Sequence, residues 1–169
     1  MTGRTPRSGE RWLRVIGFRV LPVAVLALAA AAALLKWYCA TAPDPGPARA
    51  EAVRAATEST IAILSYQPDS VQKDLEAARD RLTGAFRDSY TALIHDVVIP
   101  GSHEKKISAV ATIPAAASIS ASATGATVLL FVNQSIVIGQ GAPTWTASSV
   151  VVSLEKVGGR WLISKFETV

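Results

Sequence analysis

The residues able to do chemistry are few and scattered. There are two histidines, His95 and His103, and a single cysteine, Cys39. Neither histidine has a Cys, Asp or Glu at zinc-ligand spacing, so no metal site is expected. His95 stands beside Asp96 near a predicted helix end, where the helix dipole favours a cation and capping is the expected role. His103 falls in a predicted turn. The sequence lacks a Gly-x-Ser-x-Gly elbow, a phosphate loop and a dinucleotide fingerprint. For general acid–base work the candidates are Tyr66, Tyr90, Asp88 and Asp96. Tyr90 shares a helix face with Phe86 and Leu93 and reads as core with its hydroxyl satisfied, while Asp88 lies on another side. The expectation is therefore no enzyme, no catalytic residues, no cofactor and no metal.

The charges explain where such residues sit. The net charge is +4, which suggests a polyanion binder until it is divided by position. Arg4, Arg7, Arg11, Arg14, Arg19 and Lys36 stand against Glu10 alone before Cys39, and the rest of the chain is close to neutral. No nucleic-acid partner is expected.

That basic stretch surrounds an uncharged run, Val20 to Leu35. A helix of about 20 residues crosses the hydrocarbon layer, so residues 20–40 read as one transmembrane helix behind a cytoplasmic tail, 1–19. Arg19 and Lys36 snorkel toward headgroups, and Trp37 and Tyr38 suit the interfacial aromatic belt. A cleaved signal peptide is the competing reading. The bulky Lys36-Trp37-Tyr38-Cys39 between the apolar run and Ala40-Thr41-Ala42 argues for a retained anchor. It also argues against a lipoprotein cleavage site before Cys39. The arginine bias puts the N-terminus in the cytoplasm and the remainder across the cytoplasmic membrane.

Residues 41–47, with three prolines and a glycine, read as a linker. Residues 48–169 then read as one α+β domain. Ala48 to Ser65 forms a predicted helix with Val53, Ala56, Ile63 and Leu64 near one face. Asp69 is its successor's N-cap, with Val71, Leu75, Ala78 and Leu82 at helical spacing. Thr83-Gly84 marks a weak spot before Phe86, Tyr90, Leu93, Ile94 and Val97, and Pro100-Gly101 ends the helical half.

Four strands follow, near Lys106–Ile119, Ala126–Ile138, Thr144–Lys156 and Arg160–Val169, with Gly158-Gly159 as a hairpin turn. Three helices followed by neighbouring strands imply a curved antiparallel sheet covered on one face. Val128, Leu130, Val132 and Ile136 share one side of their strand, and neither side is wholly polar. The concave side is expected to hold the helices and a pocket, and the other to meet a partner. Trp161 and Phe166 fall on opposite faces by parity, although core packing for both is the default.

Four segments carry a resemblance. Leu64-Ser-Tyr-Gln-Pro-Asp-Ser-Val71, Arg81-Leu-Thr-Gly-Ala-Phe-Arg-Asp-Ser-Tyr90, Val128-Leu-Leu-Phe-Val-Asn-Gln134 and Gly159-Arg-Trp-Leu-Ile-Ser164 together resemble the Mce-associated membrane proteins of actinobacteria. Gly84, Phe86, Tyr90 and Trp161 are the motif residues, with a structural role expected for each. The resemblance implies a cone-like, cystatin-like domain similar to the nuclear-transport-factor superfamily and to VirB-type secretion scaffolds. It also implies an accessory subunit in the cell envelope, partnered by Mce and permease subunits of a lipid or sterol importer. A lipid ligand in the cone and a scaffold for another envelope machine are the alternatives.

Overall fold

The alanine-rich run after the prolines forms α1 (Gly46–Leu64), and the spacing of its small residues sets how closely it lies on the sheet. A computed structural model describes residues 46–169. The span 20–40 with Arg19, Lys36, Trp37 and Tyr38 lies outside the described residues. No described helix is long and apolar enough to cross a membrane. Gly46 and Pro47, expected in the linker, instead open α1, because proline costs little in a helix's first turn. The buried face of α1 is Ala52, Ala56, Ser59, Thr60 and Ile63. Val53 and Leu64, expected on it, are only half-buried, so the face is rotated toward the smaller residues.

Helix α2 (Val71–Arg79) buries Val71, Leu75 and Ala78 as predicted. Its N-cap is Ser70 rather than Asp69, and Ser70 makes no side-chain cap. The Ser70 hydroxyl instead donates to the Asp74 carboxylate at 2.5 Å. Leu82 is buried beyond the end of this helix, not on it.

Helix α3 (Gly84–Leu93) runs through a π-helical turn, Ile94–Val98, into α4 (Ile99–Lys105). Pro100 does not end the helical half. It occupies the first turn of α4, and the wider preceding turn accommodates its ring and missing donor. The inserted residue of the π turn also shifts the helical phase. Ile94 is buried while Val97 is 59% exposed, and Val98 and Ile99 pack on the core in its place. Lys106 closes α4 in the left-handed conformation, at φ 53°.

Strands β1 (Ile107–Ala121), β2 (Gly125–Ile138), β3 (Thr144–Val157) and β4 (Arg160–Thr168) form one antiparallel sheet in the order β1-β2-β3-β4. Gly158 and Gly159 both have positive φ, 58° and 81°, which a two-residue hairpin turn between right-twisted strands needs. The inner face of the sheet carries Val128, Leu130, Val132, Val150, Val152 and Leu154, each at most 3% exposed beneath the helices. Each contributes about 1.5–3 kcal/mol by leaving water. The fold is thus α+β, three helical stretches on a four-stranded antiparallel sheet, as the sequence pattern implied.

Parity misplaces one residue. In β4, Lys165 pairs with Ser153 but Ile163 pairs with Leu154, so Ser164 is an extra residue in a bulge. The bulge reverses the alternation, and Trp161 and Phe166 both face the helices. Trp161 is 8% exposed, and Phe166 stacks on Phe86 with ring centroids 6.0 Å apart.

Gly84 begins α3 at φ +59° with nothing within 4 Å of where a Cβ would stand. Its structural role is one of backbone conformation and not of close packing. Gly84→Ala should therefore destabilise the protein by about 1–2 kcal/mol, the left-handed penalty for an L-residue. Chemical denaturation followed by circular dichroism measures this, and an unchanged midpoint would contradict it.

Candidate functional site

The candidate acid–base groups do not converge. Tyr90 is 7% exposed and its hydroxyl donates to the Ile63 carbonyl at 3.2 Å. Burial raises its pKa, and Tyr66, also part-buried, shifts the same way for the same reason. Both phenols stay neutral, and Tyr90 serves structure. Asp88, Asp96, His95 and His103 are exposed. Among the described residues, no group of three His, Cys, Asp or Glu side chains is placed to hold a metal.

What the structure brings together is the four motif segments themselves, in two pairs. Residues following α1 meet the sheet first. Tyr66 and Ala109 exchange main-chain hydrogen bonds, N to O at 2.9 Å and 3.0 Å. Ala111 N donates to Ser65 Oγ at 3.0 Å, and Gln134 Nε2 donates to the Leu64 carbonyl at 3.1 Å. A helix leaves its last four carbonyls without intrahelical partners, and Tyr90 and Gln134 supply partners for Ile63 and Leu64.

The second pair joins the break between α2 and α3 to the last strand. Ile163 N donates to the Arg81 carbonyl at 2.9 Å, and Thr83 N donates to the Ile163 carbonyl at 2.9 Å. Leu82 lies between them as a parallel bridge partner of Ile163, 1% exposed. Gly84 then turns the chain into α3, which carries Phe86 back onto Phe166 and Tyr90 back onto α1. Gly84, Phe86, Tyr90 and Trp161 are thus parts of the joint between the layers.

Trp161 closes the joint at the other end of α1. Its indole Nε1 donates to Glu51 Oε2 at 3.2 Å, and Lys156 Nζ donates to the same oxygen at 2.8 Å. The ammonium also stands 5.2 Å from the centre of the Trp161 ring. The hydrogen bond from Lys156, followed by that from Trp161 and the nearby positive charge, lowers the pKa of Glu51.

Two surfaces remain. Between the helices, a cleft of about 570 Å³ is bordered by Lys73, Glu76, Arg79, Asp80 and His103. It is open to solvent and lined by both signs of charge. The pocket expected under the sheet is instead filled by the apolar side chains of the inner face. The opposite, outer face leaves Phe131 45% and Trp145 72% exposed.

No protein-family profile matches the chain. Over 158 residues it is 60% identical to the Mycobacterium tuberculosis H37Rv protein called outer membrane protein Rv1973, covering 94% of this chain and 99% of the relative. It is also 42% identical over 127 residues to the uncharacterized protein Rv1362c of the same organism, covering 75% of this chain and 57% of that one. Among solved structures, an IcmL-like type IV secretion system protein from Legionella pneumophila superposes with a TM-score of 0.62 at 12% identity, over 76% of this chain and 94% of the other. The VirB8 protein of Agrobacterium tumefaciens gives 0.55 at 13% identity, over 69% and 88%. At such identities the likeness is one of fold.

Two outcomes test the joint. Tyr90→Phe should lower stability by about 1 kcal/mol by leaving the Ile63 carbonyl short of a partner, and urea denaturation measures it. Glu51 has a folded-state pKa below its unfolded value, so its contribution is present above about pH 4.3 and is lost as pH falls through the folded pKa. Glu51→Gln should accordingly be the less stable protein at pH 7, with the difference shrinking as pH drops below about 4. A gap in denaturation midpoint that is constant from pH 7 to pH 3 would show that the carboxylate contributes nothing by its charge.

Proposed function

The chain belongs to the same family as the mycobacterial outer membrane protein Rv1973, and from that premise we propose that it is a noncatalytic accessory subunit of an envelope transporter. In this reading residues 20–40 anchor it in the cytoplasmic membrane with the N-terminus inside. The domain stands outside and holds or assembles an Mce-type lipid or sterol import complex through the Mce and permease subunits. The carrying observation is where the motif residues lie. They join helices to sheet, and among the described residues the groups able to do acid–base chemistry are separated or held in structural bonds. Such a chain presents surfaces to other proteins.

The placement of the anchor rests on the uncharged run between Arg19 and Lys36. A transmembrane barrel requires a closed sheet of at least about eight strands. The described sheet is open, with β1 and β4 as its two edges. In this reading the relative's outer-membrane designation reflects association with the envelope.

A second reading is supported by the fold likeness to VirB8 and the IcmL-like protein: a scaffold for a secretion-type machine rather than an importer. One experiment separates them. Affinity purification of the tagged full-length protein from solubilised membranes should enrich Mce and permease subunits severalfold over an untagged control. Deleting the gene should lower the amount of those subunits in the membrane. Recovery of secretion components in their place favours the second reading. An intact importer that never co-purifies, and whose abundance is unchanged by the deletion, would overturn the first.

A further inference from the structure

An edge strand presents unpaired N–H and C=O groups, which folded proteins block with covering segments, charges, prolines or bulges. On β4 the segment through Leu82 takes both main-chain groups of Ile163, the strand bulges at Ser164, and Lys165 and Glu167 form a 2.8 Å ion pair. The first half of β1 is blocked as well. Tyr66 takes both groups of Ala109, Ser65 Oγ accepts from Ala111 N, and Pro114 has no N–H to offer. Beyond Pro114 only a bulge between Ser118 and Ser120 interrupts the edge. Ala115-Ala-Ala-Ser-Ile-Ser-Ala121 contains no charge and no proline, and Ala115, Ala116, Ala117 and Ile119 are exposed.

The register shows which groups line that edge. Successive residues of an antiparallel strand direct their main-chain groups to opposite sides. The even-numbered residues of β2 direct theirs toward β3: Lys156 N donates to the Thr124 carbonyl at 2.8 Å, in line with the pairs Ala126 to Leu154 and Val128 to Val152. Their partners on β1 therefore face away from β2, as Ala109, opposite Ile136, does in meeting Tyr66. By the same rule Ala116, Ser118 and Ala121, opposite Leu130, Val128 and Ala126, point N–H and C=O outward. Among the described residues, no other element bonds to these main-chain groups.

We infer that Ala115–Ala121 is a docking edge onto which an uncharged, extended segment of a different polypeptide adds as a fifth strand. Main-chain bonds hold such a strand, and the flanking side chains select it. Here the flanks are three alanines, which leave room for larger apolar side chains, and a charged segment finds no counter-charge on β1. Seven residues offer roughly 20 Å of edge. The chain's own remaining segments do not suit. Residues 1–19 carry five arginines, 20–40 read as the anchor, and 41–45 are short and include Pro43 and Pro45. At the other terminus Val169 N already donates to the Ser149 carbonyl. A second copy would bring its own Pro114 and its own bulge to the pairing, which leaves little beyond Ala116 and Ser118 in match. An unbroken strand of another protein brings neither interruption.

The inference deepens the accessory-subunit reading by naming how a partner is held, and it can fail on its own. Full-length protein with a photo-crosslinking phenylalanine analogue at position 117 is irradiated in cell membranes. The adduct should join this chain to a different polypeptide, through a segment of about seven residues without charge or proline. Ala116→Pro removes one outward N–H and leaves the ladder to β2 intact, because that N–H takes no part in it. It should cut the yield of the adduct roughly tenfold. Ala116→Ser keeps the donor and should leave the yield unchanged. Circular dichroism checks folding, and if Ala116→Pro misfolds, Ala115→Lys, a charge at an exposed position of the edge, decides in its place. No adduct, adducts only with lipid or with a second copy, or a yield unmoved by Ala116→Pro would each overturn the inference. Mce and permease subunits that co-purify undiminished with the Ala116→Pro protein would overturn it while leaving the accessory-subunit reading intact.

Discussion

The interaction on which the rest of this structure depends is the satisfaction of main-chain groups where the helices stop. A helix end buried against a sheet brings carbonyls and amides that water no longer reaches, and each one left unpaired costs about 1–3 kcal/mol. Here the sheet supplies the partners. Tyr66 joins β1 at Ala109, and Arg81 and Thr83 join β4 at Ile163. Helices and sheet therefore share hydrogen bonds as well as apolar contact. The helical layer is fixed in register along the strands, which dispersion contacts alone would leave free to slide.

The irregularities of the chain serve the same attachment. Gly84 adopts a positive φ so that α3 can start directly after the contact with β4. The bulge at Ser164 turns Phe166 inward, where it meets Phe86 from that helix. The π turn after Leu93 absorbs the proline that would otherwise end the helical layer early, and it carries Ile99 onto the core. At the start of α1, Glu51 holds Lys156 and Trp161 together, so both ends of the helix are tied to the sheet. Rigidity of this kind holds the helical layer in one register on the sheet.

Much of this was legible in the sequence because the signals are local. Alternation along Val128–Val132, helical spacing through Val71, Leu75 and Ala78, and the paired glycines before Arg160 each report their own segment's environment. The fold class, the strand positions within one or two residues at most ends, and the burial of Tyr90 followed from them. So did the division of charge between a basic N-terminal stretch and a near-neutral remainder.

What only the tertiary structure decided is how separate segments complete one another. Parity counting put Trp161 and Phe166 on opposite faces because one extra residue in a ladder is invisible until the partner strand is known. Helical spacing put Val97 in the core because the π turn that shifts the phase forms where Pro100 must be accommodated. The four motif segments could be recognised one by one, yet their pairing depends on which carbonyl lies opposite which donor across 70 to 82 residues of chain. Composition and periodicity act over one turn or one strand, so the sequence alone determined the elements and their apolar faces. Folding decided the joints between them and which face of the sheet remained uncovered.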